Sequence, residues 1–189
     1  MQLNKKKLAF VAAWIISAVG TVYPQRVTDH LHRLVEMSAR RLAIAEQIAL
    51  AKWDSGTPVE DASREARVIA SAIRAGESRG LDQATVSSFF RAQIEASKLV
   101  QYSLLAEWRR HGKAPDHTPV NLASTIRPQL DQLEIAMIAE LAETSDIRGS
   151  ASCRADIAKA VGKYVSTHKK SFSPLQAIAL DRATAALCP

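Results

Sequence analysis

Apolar residues recur at helical spacing along most of the chain, with polar residues turned to the opposite side. Leu31, Leu34, Leu42, Ala45, Ile48 and Ala49 form one stripe, and Arg33, Glu36, Arg40 and Gln47 lie opposite, which predicts a long first helix from about Val27 to Asp54. Ser55-Gly56-Thr57-Pro58 ends it. Thr57 as N-cap, Pro58 at N1 and Glu60 at N3 read as a capping box, so a second helix is expected from there to about Gly76–Gly80. Asp82 caps a third long helix with the stripe Val86, Phe90, Ile94, Leu104, Leu105 and Trp108, stopped near His111 by Gly112 and Pro115. A fourth begins near Ser124 or Thr125, because Pro128 is tolerated only in a first turn, and continues through Leu130, Leu133, Met137, Ile138 and Leu141. A fifth covers about Cys153 to His168. The last opens on Ser173-Pro174, with Gln176 completing a capping signature, and runs to Leu187. The pattern predicts an all-α, single-domain bundle of about six helices, three of them long.

Composition agrees. Only 7 Gly and 7 Pro in 189 residues disfavour a strand-and-turn architecture, and 47% apolar with 23% charged residues excludes a disordered chain. The length suits one domain.

Charge changes the picture more. The formal net charge is +6, with a pI near 9.5. Lys5-Lys6-Lys7 precede an uncharged apolar run from Leu8 to Val22, which reads as a secretory signal peptide over about residues 1–20, leaving a mature domain at 21–189. That run is short for a spanning helix, so no stable membrane anchor is expected after processing. Removing the three lysines lowers the net charge to about +3. An exported chain, periplasmic or secreted, with two cysteines is expected to join Cys153 to Cys188 in a C-terminal disulfide. The five histidines do not cluster at ligand spacing, so no metal is expected.

A few polar residues fall on the apolar faces. Arg41 and Lys52 stack along one edge of the first stripe, where snorkelling is the ordinary explanation. Ser97 and Gln101 sit in the middle of the third stripe, while Arg91, Glu95, Lys98 and Arg109 are expected to point away. A buried Gln is costly without partners, so it either completes a core hydrogen bond or faces a pocket. Asp61, Arg64 and Glu65 open the second helix at the spacing of a surface ion-pair cluster, and Arg127 lies beside Ile138 and Leu141. Convergence of these residues would surround one cavity with four cations, two acids, a Ser and a Gln.

Taken together, Arg41-x10-Lys52-x8-Asp61-x2-Arg64-Glu65 and Ser97-x3-Gln101 resemble the active-site pattern of the all-helical chorismate mutases. The resemblance is strongest from Leu34 to Trp108, and seven polar positions on three helices make it specific. The signal segment, chain length and C-terminal cysteines are similar to the secreted (gamma) subclass.

The resemblance implies an isomerase of aromatic amino acid biosynthesis. It would convert chorismate to prephenate by a Claisen rearrangement with no covalent intermediate, metal or cofactor. The residues agree with that chemistry: there is no GxSxG elbow, Cys/His nucleophile pair or phosphate-binding Gly loop. By the same resemblance, Arg41 and Arg127 clamp the carboxylates, while Lys52 and Gln101 donate to the ether oxygen. Glu65 and the Asp61 region receive the ring hydroxyl, Arg64 steadies the acids, and Ser97 donates to a carboxylate. Each chain is expected to hold a complete site, and a homodimer is expected from the family. Two other readings compete. One is a non-catalytic periplasmic sensor or interaction module for a small dicarboxylate. The other, nucleic-acid binding, is disfavoured because Arg41 and Lys52 face inward and the exposed faces mix signs.

Overall fold

The computed structural model describes residues 23–188, so the expected signal segment lies outside the described residues. The first helix, α1 (Tyr23–Ser55), is 33 residues long and carries the predicted stripe on its buried side. It is the central element, packing against four others: α3 (Gln83–His111), α4 (Arg127–Glu143), α6 (Cys153–Thr167) and α7 (Pro174–Thr184). Helix α2 (Ala62–Glu77) lies on α3 and α4, and a short α5 (Ser145–Arg148) follows α4. Among the described residues there is no strand, and the bundle has seven α-helices rather than about six.

Local signals account for most of the boundaries. Asp82 accepts from Thr85 N to start α3, and Gly112, at φ 74°, ends it in the left-handed conformation that a side chain disfavours. Ser173 and Gln176 form the full capping box expected at α7. Before α4, a π-helical turn over Leu122–Ile126 is capped by Asn121, whose Oδ1 accepts from Ala123 N and Ser124 N, each at 2.9 Å. Pro128 then sits in the first turn of α4.

The capping box expected at Thr57-Pro58-Glu60 does not form. Asp61 caps α2 instead, accepting from Arg64 N at 2.9 Å. The reason is tertiary. Lys52 Nζ donates to the Val59 carbonyl at 2.6 Å, while Lys98 Nζ and Tyr102 Oη bond the Glu60 carboxylate at 3.0 and 2.9 Å. These contacts hold residues 57–61 as a non-helical connection.

The core is built from Leu31, Leu34 and Leu42 of α1, Phe89 and Phe90 of α3, Met137, Ile138 and Leu141 of α4, and Leu180 of α7. Gly76 lets α2 approach α3 closely, since a Cβ there would stand 2.6 Å from Val86 Cγ2. Gln93, fully buried, donates to Ser38 Oγ and the Ala183 carbonyl, joining α1, α3 and α7. A second, smaller cluster of Ala49, Val59, Leu105 and Trp108 lies beneath the 57–61 connection, with Trp53 edge-on to Trp108.

Cys153 and Cys188 are joined, tying the start of α6 to the chain beyond α7. The bond spans 35 residues, a loop whose closure contributes about 4 kcal/mol on the chain-entropy account. Replacing both cysteines by serine should lower the unfolding free energy by about that amount. An unchanged denaturant midpoint with unchanged slope would contradict it.

Candidate active site

Four helices and two connections meet around a cavity of about 120 Å³. Arg41, Ile48 and Lys52 enter from α1, and Val59 and Asp61 from the connection after it. Arg64, Glu65 and Val68 come from α2, and Ile94, Ser97, Lys98 and Gln101 from α3. The π-helical turn adds Leu122 and Ile126, and α4 adds Arg127 and Leu130. The polar residues singled out in the sequence, Arg41, Lys52, Asp61, Arg64, Glu65, Ser97, Gln101 and Arg127, are all brought to this one cavity by a single chain.

Arg41 does not snorkel. It is 6% exposed, and its Nε has no hydrogen-bond partner among the described residues. Burial brings its pKa down to about 10, against the attraction of Glu134 on α4. Glu134 is buried too, and the same desolvation pushes its carboxyl up, opposed by a hydrogen bond from Ser71 and by Arg41. This long-range attraction between a buried cation and a buried acid went unnoticed in the sequence.

Lys52 is half-buried, and burial lowers its pKa against the pull of Asp61, Glu65 and Glu60. Gln101 Nε2 donates to Ser97 Oγ at 3.1 Å and to the Ser97 carbonyl at 3.3 Å, while its buried Oε1 has no partner among the described residues. A 180° turn of the amide would place an N–H where that oxygen stands, with Ser97 Oγ–H able to donate in return. Gln93 Oε1 is likewise without a partner among the described residues, and what sets Gln101 apart is that it lines the cavity while Gln93 joins three helices in the core.

The acids and their cations pair differently from the expected surface cluster. Arg64 Nη2 donates to Asp131 of α4 at 2.9 Å. Asp61 is the α2 cap. Glu65 pairs with Lys98, which was expected to point away and instead lines the cavity. The apolar stripe of α3 hid this, because periodicity registers contact with oil and is blind to a polar-walled cavity beside it.

The segment that delivers Arg127 is moored at His117, whose Nε2 lies 2.9 Å from Asp54 Oδ2 and whose Nδ1 lies 2.8 Å from the Pro115 carbonyl. Both ring nitrogens face acceptors, an arrangement only imidazolium satisfies fully. The Pro115 carbonyl and Asp54 accordingly raise its pKa, so the mooring is strongest in acid and weakens as pH rises through that value. Among the described residues, no three His, Cys, Asp or Glu side chains gather as a metal site would require.

An all-helical bundle enclosing a cationic cavity edged by carboxylates, with a buried guanidinium free to bond, is built to hold a small anion. The comparisons with known proteins agree on a family. Residues 29–102 match the family described as chorismate mutase type II. A secreted chorismate mutase of Mycolicibacterium smegmatis is 30% identical over 184 residues, covering 96% of this chain and 99% of that protein. A secreted chorismate mutase of Mycobacterium tuberculosis is 27% identical over 85% of this chain and 79% of its own length. The crystal structure of a chorismate mutase from Burkholderia phymatum superposes with a TM-score of 0.81 at 41% identity, covering 86% of this chain and 98% of that one. The chain belongs to the chorismate mutase family, and it is an isomerase.

Proposed function

We propose that the cavity holds chorismate as a compact chair and rearranges it to prephenate without a covalent intermediate. The observation that supports this most is the buried Arg41, unsatisfied at Nε, in a cavity that also gathers Lys52, Arg64 and Arg127. In this reading Arg41 and Arg127 grip the two carboxylates, since a guanidinium matches a carboxylate in two-pronged geometry. Ser97 donates to a carboxylate, and Glu65, with Asp61 nearby, accepts the ring hydroxyl. Lys52 and Gln101 donate to the ether oxygen as its bond breaks. Donors fixed where charge develops, in a site sheltered from water, lower the barrier without needing to reorganise. To act, Lys52 exchanges its bond to the Val59 carbonyl for one to substrate. The expected export is supported by the names of the relatives and by the basic and apolar N-terminal segment. No described helix is long and apolar enough to cross a membrane.

Mixing the mature protein, residues 21–189, with chorismate and following the loss of its ultraviolet absorbance tests the proposal. Steady loss with formation of prephenate is expected. Tight binding without turnover would instead make the chain a sensor of that dicarboxylate.

Gln101 adds a prediction about pH. A glutamate in its place would have to be protonated to donate, but an amide donates at any pH. The turnover number should therefore show no steep rise on acidification toward the ordinary Glu pKa of about 4.3, and a profile active only in that range would contradict the role of Gln101.

A further inference from the structure

Lys98 has no part in the reading above, yet it is the most connected charge at the cavity. Its side chain is only 13% exposed, and its Nζ lies 2.7 Å from Glu95, 3.0 Å from Glu60 and 3.4 Å from Glu65. Those acids belong to three elements: its own helix, the 57–61 connection and the first turn of α2. Tyr102, one turn further along α3, donates to the second oxygen of Glu60 at 2.9 Å. The connection is thus held to α3 at Glu60 and to α1 through the Val59 carbonyl. An exposed ion pair contributes little, but this ammonium is mostly withdrawn from water and shared among carboxylates that would otherwise repel one another. Burial opposes its charge, and the bonds to Glu95 and Glu60 more than offset that, raising its pKa.

We propose that Lys98 is a positioning residue for the reaction, its ammonium fixing the Glu65 carboxylate at the cavity wall while fastening the 57–61 connection over the cavity through Glu60. The inference rests on the proposed chorismate reading. Without Lys98, Glu60 and Glu65 lose the ammonium they share and keep only the more distant pull of Lys52, Glu65 swings from the place where it meets the ring hydroxyl, and the connection loosens. Lys98 touches no reacting atom in this scheme, so its effect travels through Glu65.

A double-mutant cycle tests it. The turnover number and KM for chorismate are measured for wild type, Lys98→Met, Lys98→Arg, Glu65→Gln and the Lys98→Met/Glu65→Gln pair. Circular dichroism checks the fold, and Lys98→Gln serves in the cycle should Lys98→Met not fold. Lys98→Met should lower kcat/KM about tenfold, Lys98→Arg should recover most of that, and in the Glu65→Gln background the further loss should stay within about twofold. Trp53 and Trp108, the only tryptophans after residue 20, lie at the cluster holding Val59, so their emission should shift to the red in Lys98→Met as the connection loosens. Equal losses in both backgrounds, or full activity of Lys98→Met, would overturn the action through Glu65, and unchanged emission would overturn the fastening. Wild-type protein that neither binds nor turns over chorismate would overturn the reading of the cavity and this role with it. Wild-type turnover with additive losses overturns the role of Lys98 alone.

Discussion

Lys52→Ala should lower kcat by about two to three orders of magnitude, the usual effect of removing one donor aimed at a developing oxyanion. The fold should survive. Lys52 is half-buried, and its hydrogen bond goes to a carbonyl of the neighbouring connection, not to a core group. Alanine therefore forfeits one hydrogen bond and opens the cavity slightly, leaving the leucine and phenylalanine core untouched. Gln101 would remain as the second donor, which explains why activity should fall steeply without vanishing. KM should change less than kcat, since the ether oxygen gains its charge only as the bond breaks. The check is a comparison of steady-state kinetics with thermal unfolding. Near-normal turnover in a folded Lys52→Ala protein would remove Lys52 from the mechanism and with it the proposed polarity of the cavity.

The second large effect is expected at Arg41, and it separates activity from stability. Desolvating a guanidinium is expensive, and here the partner Glu134 is itself a carboxyl driven upward by burial. Their mutual attraction does not offset the burial of either group. Arg41→Met should reduce kcat/KM by about a hundredfold or more, as expected when a buried charge partner of a bound ligand is truncated. On its own the change leaves Glu134 without its counter-charge, so some loss of stability is expected too. Joining it to Glu134→Gln removes both buried charges. That double variant should unfold at the same denaturant concentration as wild type or higher, while remaining inactive. A double variant much less stable than wild type would mean that Arg41 serves the fold first. Substantial activity in Arg41→Met would mean it does not hold the substrate.

How far these features could be read from sequence depends on the range of the interaction that creates them. The caps at Asp82 and Ser173 and the stop at Gly112 were legible because each rests on bonds within a few residues. Thr57-Pro58-Glu60 carries an equally good local signature and fails, because Lys98 and Tyr102, 38 and 42 residues away, take the glutamate that the box requires. Arg41, Lys52, Ser97 and Gln101 were legible because a polar group on or beside an apolar face is conspicuous in a helical projection, whereas Asp61, Arg64 and Glu65 read as a surface cluster and joined the site only through the family resemblance. Lys98 and Glu134 were not, since Glu60 and Glu65, and Ser71 and Arg41, reach them from other elements and no periodicity within α3 or α4 marks those contacts. The π-helical turn before α4 was hidden for a different reason. Pro128 announces that a helix begins nearby, but the widened turn ahead of it is set by Asn121 bonding two successive amides.

The eight polar residues proposed to hold the substrate all come from one chain. In genetic terms, a site completed by those residues would make every copy of the protein a self-sufficient unit of activity. Where a site straddles two subunits, a defective allele spoils the product of its healthy neighbour, and loss of function becomes dominant. With the proposed single-chain site, a damaged copy would remove only its own share, so null alleles should behave as recessive, and a duplicated gene would be free to diverge without poisoning the original.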